Sequence, residues 1–153
     1  MGLGDLFVIL FFGLVVVSGM FYLYVGYFHI DAFWLGLQVG LLATVLIAIN
    51  NLRDNVSDRL VNKKTLAVRF GETFAKTEII SFLLLSFLMN LWWFLSGRLW
   101  AGLLPLAILP LAIKIARWIW TAKPSPEMNR YLGLSAGLQM VFTVLIAVGF
   151  SLS

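Results

Sequence analysis

Five stretches free of Asp, Glu, Lys, Arg and His divide the chain: Leu6–Phe28, Ala32–Leu52, Ile79–Gly97, Leu99–Ile113 and Tyr131–Ser153. A helix needs about 20 apolar residues to cross a bilayer. Four stretches reach or nearly reach that length. The fourth is shorter, but Lys114 and Arg117 can snorkel, which extends it to about Trp120. The runs are apolar on every side and do not alternate, so they predict helices rather than the strands of a membrane barrel. The expected fold is all-α: a polytopic bundle of five spans, forming one transmembrane domain over residues 1–153.

Composition agrees. Of 153 residues, 61% are hydrophobic and 12% charged, about half the charge of a soluble domain. There are no cysteines, so neither a disulfide nor a thiolate metal site is available. The first span lacks a basic leader, follows Asp5, and is too long for a signal peptide's apolar core. The net charge of +4 reflects orientation, not a groove for nucleic acid. Five spans place Arg53, Arg59, Lys63, Lys64, Arg69, Lys76, Lys114, Arg117, Lys123 and Arg130 on one face and Arg98 alone on the other. The positive-inside rule then puts the motif loop 50–78 and the N-terminus in the cytoplasm of a multi-pass membrane protein.

Smaller signals fill in the bundle. Gly36/Gly40 and Gly133/Gly137 have the small-xxx-small spacing that lets helices approach. Pro105 and Pro110 predict a kink in the fourth helix, and Lys123-Pro124-Ser125-Pro126 a turn. Most tryptophans fall near span ends, where an indole is favoured. Gln38, Asn90 and Gln139 suit interhelical hydrogen bonds. Glu78 is expected to begin the third helix, where negative charge is favoured.

The charge is concentrated. Ten of the eighteen Asp, Glu, Lys and Arg side chains lie between Arg53 and Glu78. If the second helix runs on through Leu60, then Asn50, Asp54 and Asp58 share one face, about 6 Å apart per step. Asn51 sits beside them, and Arg53 and Arg59 flank them. A stripe of amide and two carboxylates suits magnesium, which takes oxygen ligands and is held by one or two carboxylates plus substrate phosphates. Lys63, Lys64 and Arg69 would neutralise remaining phosphate oxygens. A diphosphate at the end of a membrane helix keeps its head wet and its hydrocarbon tail between helices. Tyr22, Tyr24 and Tyr27 offer ring faces to an allylic cation, although packing is the commoner use. His29 has no ligand partners nearby. Spacing alone leaves two uses for the loop: a metal–diphosphate site, or a solvated positive-inside connection.

The stretch Asn50-Asn51-Leu52-Arg53-Asp54, with Asp58 and the run Lys63-Lys64-Thr65-Leu66-Ala67-Val68-Arg69-Phe70-Gly71, resembles the second aspartate-rich motif of the UbiA-type intramembrane prenyltransferases. Within them it is most similar to the branch that prenylates 1,4-dihydroxy-2-naphthoate in menaquinone synthesis. The opening Gly2-Leu3-Gly4-Asp5-Leu6-Phe7-Val8-Ile9-Leu10-Phe11-Phe12-Gly13 resembles that branch too. Asn62 stands where the family usually has glycine, and a turn with positive φ tolerates asparagine.

The resemblance implies a magnesium enzyme of nine membrane helices that joins a polyprenyl diphosphate to an aromatic acceptor. Asp54 and Asp58 would hold the metal, assisted by Asn50 and Asn51, with Arg53, Lys63, Lys64 and Arg69 gripping phosphate. It also implies a first aspartate-rich motif, which has no counterpart here. The chain then matches helices five to nine, the C-terminal half, with weak or no activity unless a separate N-terminal half joins it. The alternatives are a non-catalytic membrane subunit that binds prenyl lipid or assembles with a partner and, ranked last, a transporter or channel subunit.

Overall fold

The computed structural model describes residues 3–153; Gly2 of the opening motif lies outside the described residues. All regular structure among them is helical. Five helices are long and apolar enough to cross a membrane: α1 (Gly4–Val25), α2 (Ile30–Arg53), α5 (Glu72–Leu95), α6 (Leu99–Thr121) and α7 (Met128–Ser151). Two short helices, α3 (Asn55–Leu60) and α4 (Leu66–Phe70), form the connection between α2 and α5. Helices satisfy every backbone group within the segment, as lipid requires.

The most buried span is α2, which packs against α1, α5 and α7. Its core face carries Leu42, Val45, Ile49 and Leu52, joined by Ile79, Leu83, Ile115, Ile119, Leu138, Phe142 and Ile146 from the other spans. The least buried is α1. It meets α2 through glycine: a Cβ on Gly13 would lie 2.7 Å from the Cα of Gly40 and would also strike the carbonyl of Gly36. Gly36 and Gly40 therefore do bring two backbones together, at a wide π-helical segment of α1, Ile9–Val15. Gly133 and Gly137 do not; both face open space. The close approach of α7 is made at Gly149, where a Cβ would sit 2.5 Å from the Cα of Ala101.

One group of polar residues within the spans forms a connected hydrogen-bond network. Gln38 donates to the Ser86 carbonyl and to Asn90 Oδ1, both at 2.7 Å, and accepts from the Trp93 indole at 3.0 Å. The expected interhelical role holds for Gln38 and Asn90, whereas the Gln139 backbone carbonyl serves Thr143 within α7. Trp93 is thus not an interfacial belt residue but a fully buried one. In α6 the chain tightens to a 3-10 segment over Leu104–Ile108, around Pro105 and just before Pro110.

The third span starts earlier than its uncharged run. It begins at Glu72, not Glu78. Its one cation is the reason: the Lys76 ammonium reaches Glu72 at 2.7 Å and the Trp120 carbonyl at 3.1 Å, so a charged turn is tolerated inside the helix. Gly71, at φ +88, turns the chain between α4 and α5, a backbone conformation that side chains disfavour.

Candidate functional site

The two ends of the bundle are chemically different. At the end holding the 26–29 and 96–98 turns, Asp31 accepts from the Trp92 indole and the Arg98 guanidinium, each at 3.1 Å. His29 caps α2, its Nδ1 accepting from the Asp31 amide. A largely apolar hollow of about 460 Å³ opens there, lined in part by Tyr24, Tyr27, Asp31, Arg98 and Phe150. Tyr22, Tyr24 and Tyr27 all lie at this end, and Tyr22 stacks on Phe28. The 24 residues of α2 separate them from the aspartates by roughly 35 Å. They cannot shield a cation formed at the carboxylates.

The opposite end carries the polar constellation. Here α2 does not run unbroken through Leu60. It stops at Arg53, Asp54 leaves helical geometry (φ −92°, ψ 7°), and α3 starts at Asn55. The register survives the break. The Asp54 amide donates to the Asn50 carbonyl at 3.0 Å, and the Asp58 amide to the Asp54 carbonyl at 2.8 Å. Asn50, Asp54 and Asp58 remain one turn apart along a bent helical path.

Each aspartate has its own cation. Arg53 grips Asp54 with a fork, Nε to Oδ1 at 2.7 Å and Nη2 to Oδ2 at 2.6 Å. That hydrogen-bonded guanidinium holds the Asp54 carboxyl below the usual carboxylate range. Lys63 reaches Asp58 Oδ2 at 2.9 Å, and its backbone amide donates to the Asp58 carbonyl at 2.9 Å. The chain can return this sharply because Asn62 adopts φ +55, a left-handed conformation that asparagine tolerates. Thr65 then caps α4, accepting from the Val68 amide.

The environments of the two acids differ. Asp58 is buried, whereas Asp54 is partly open and lines a cleft of about 360 Å³ with Arg53, Ser57, Pro124, Pro126 and Asn129. Asp58 is not among the walls of that cleft. Lys64 is exposed and makes no ion pair among the described residues. The Arg69 guanidinium lies over the Phe70 ring, 5.5 Å from its centroid. Asn51 is half-buried beside the stripe. Among the described residues no group of three His, Cys, Asp or Glu side chains is poised to hold a metal ion. What the chain supplies is two carboxylates and neighbouring amides, including the Asn55 side-chain oxygen, which is buried without a hydrogen-bond partner.

One contributor was not visible in the linear sequence. The third arm of Arg53, Nη1, donates to the Asn129 side-chain oxygen, 76 positions away at the start of α7. The Pro124–Pro126 turn, read from sequence only as a connection, is thereby a wall of the site. Its partner across the cleft is set by how α7 packs on α2, which no local pattern encodes.

A family model described as the UbiA prenyltransferase family matches residues 1–150. A 1,4-dihydroxy-2-naphthoate octaprenyltransferase of Escherichia coli is 38% identical over 157 aligned positions, covering 99% of this chain and 50% of the relative. A protein of the same description from Haemophilus influenzae is 30% identical, covering 97% and 49%. The human UbiA prenyltransferase domain-containing protein 1 is 29% identical, covering 98% and 45%. The chain spans about half the length of the curated relatives it matches. No solved structure matches.

Proposed function

The chain belongs to the UbiA prenyltransferase family, and from that premise we propose that its polar end binds a polyprenyl diphosphate through a divalent cation, magnesium by preference, for prenyl transfer to 1,4-dihydroxy-2-naphthoate in menaquinone synthesis. The observation that carries this reading is that Asn50, Asp54 and Asp58 keep one helical register at the end of a membrane helix, so that an amide and two carboxylates follow one another turn by turn. Magnesium, when bound, would neutralise charge on the leaving diphosphate. Its hard-oxygen preference fits two carboxylates with amide neighbours, and phosphate oxygens and water fill the remaining positions.

In this reading the chain's own residues divide the work. Asp54 and Asp58 hold the cation, and Asn50 and Asn51 position them. Arg53, Lys63, Lys64 and Arg69 stabilise the negative charge that grows as the allylic carbon–oxygen bond breaks. The bond's electron pair leaves with pyrophosphate. The aromatic ring supplies the electrons of the new carbon–carbon bond, and the carboxylate it carried departs as carbon dioxide. The apolar faces of the bundle keep the prenyl tail in the membrane, with the motif loop and the N-terminus cytoplasmic. Half the length of the relatives' chains is not covered here, so complete activity is expected only together with a segment that supplies further acidic ligands, such as a separate N-terminal half.

The test is magnesium-dependent prenyl transfer in membranes containing this chain with and without such a segment. Activity that needs both, and that falls at least about a hundredfold on Asp54→Asn or Asp58→Asn, supports the reading. An Asp54→Asn/Asp58→Asn double variant with full activity removes the site assignment. A second reading, a non-catalytic subunit that binds prenyl lipid, is favoured by one observation: both carboxylates are already neutralised by cations of the same chain. Prenyl-lipid binding that is indifferent to magnesium would support it.

A further inference from the structure

We infer that Asn129 is a positioning residue that shares the Arg53 guanidinium with Asp54, and so sets how readily Asp54 accepts a divalent cation. This rests on the reading of the site given above. A guanidinium presents five N–H groups in one plane. In Arg53 one edge, Nε and Nη2, is spent on the two oxygens of Asp54, and the remaining nitrogen, Nη1, is spent on Asn129. Both carboxylate oxygens are therefore occupied by a cation belonging to the chain. Each of those oxygens keeps a second lone pair, so a metal ion at Asp54 either binds there against the positive charge of the guanidinium or displaces one of the two bonds, and in both cases it competes with Arg53.

Asn129 changes the cost of that displacement. Its side-chain oxygen is neutral, so it accepts from Arg53 without holding it by charge. It stands on α7, while Arg53 ends α2. The turn before it is stiffened by Pro124 and Pro126 and closed by the Met128 amide on the Ser125 carbonyl at 3.0 Å and the Asn129 amide on the Pro126 carbonyl at 3.1 Å. A guanidinium that lets go of Asp54 thus stays anchored in the cleft between these elements, where a diphosphate needs a counter-charge. Without the Asn129 amide, Arg53 has only Asp54 to pair with and competes harder with the metal. Arg53 acts as the resting counter-ion of Asp54, and Asn129 is the seat it keeps when a metal takes its place.

The experiment uses the full chain in lipid nanodiscs, with Mn2+ as the magnesium probe, free Mn2+ read by electron paramagnetic resonance, with and without inorganic pyrophosphate. Asn129→Ala is expected to weaken Mn2+ binding about tenfold, the order of one hydrogen bond to a charged group. Arg53→Gln is expected to strengthen binding of Mn2+ alone, weaken the pyrophosphate-dependent increment, and make the Asn129 substitution silent in the double variant. Because the chain has no cysteine, spin labels at Val56→Cys and Ser125→Cys report the cleft width without any metal; Asn129→Ala should broaden that distance distribution. An unchanged distribution, an unchanged Mn2+ affinity, or an equal loss in the Arg53→Gln background overturns the inference. Asp54→Asn separates the two levels. If it leaves Mn2+ binding intact, or the unaltered chain binds none, the site reading fails and the inference with it. If it abolishes binding while Asn129→Ala does nothing, only the inference fails.

Discussion

The amide of Gln38 and the indole of Trp93 meet at 3.0 Å inside the bundle, toward the end that carries the 96–98 turn, both fully buried. The same amide holds the Ser86 carbonyl and Asn90 Oδ1. One side chain of α2 thus ties down the stretch of α5 where its helix is interrupted at Met89.

Gln38→Leu keeps the volume and removes all three bonds, leaving the Trp93 N–H without a partner. A loss of about 1–3 kcal/mol is expected, since an orphaned buried donor costs its desolvation, with the lower end favoured because partners are re-found within a membrane. Thermal or denaturant unfolding in detergent measures it. Gln38→Leu combined with Trp93→Phe should recover part of the loss; a double variant as unstable as the sum of the singles would deny the contact its role.

The spans were legible because lipid imposes a demand that composition alone reveals: an uncharged run of the right length has few alternatives. Their ends were less so. Glu72 and Lys76 sit inside the third helix because they pair with each other and Lys76 also donates to the Trp120 carbonyl, a long-range compensation that a charge count cannot register. The same holds for the glycines. Gly36 and Gly133 open equally good spacings, yet only the first meets another glycine, Gly13, across the interface. At the candidate site the Asn50–Asp54–Asp58 stripe was readable from helical period, whereas Asn129 was not, because its place depends on how two helices far apart in sequence pack.

Gly13→Val tests the α1–α2 seam. The added Cβ would lie within 3 Å of the backbone of α2, and backbone cannot yield as a flexible side chain can. The helices must separate, so a destabilisation of about 1–3 kcal/mol is expected, as for other overpacked interfaces. Gly19→Val, at a position with open space around it, should cost far less. Comparable unfolding midpoints for the two variants would mean that α1 is not seated as described.

At the opposite end Asp31 is the shared acceptor of Trp92 and Arg98, linking the first turn of α2 to α5 and the turn beyond it. Arg98→Gln should destabilise the bundle by about 1–2 kcal/mol, because a partly buried carboxylate loses its counter-charge. Asp31→Asn in the same chain should restore part of the loss. A double-mutant cycle with coupling below about 0.5 kcal/mol would show the pair to be ornamental.

Asp54 offers a prediction in pH. Its carboxyl is held below the ordinary carboxylate range by the Arg53 hydrogen bonds, so it stays ionised in acid that would protonate a free aspartate at about 3.9. The sign follows from linkage. A group whose folded pKa is depressed contributes stability that is present above its unfolded value and is lost as pH falls through the folded value. The contribution should therefore persist at neutral pH and disappear only below about pH 4. Arg53→Gln should move the Asp54 midpoint upward and flatten this part of the acid stability curve, whereas Lys64→Gln, at an exposed cation without an ion pair, should do neither. Carboxyl-carbon NMR of the labelled chain in detergent reads the midpoint directly. A midpoint in the Arg53→Gln variant equal to that of the unaltered chain would show that the short Arg53–Asp54 contacts do not govern the charge of the site.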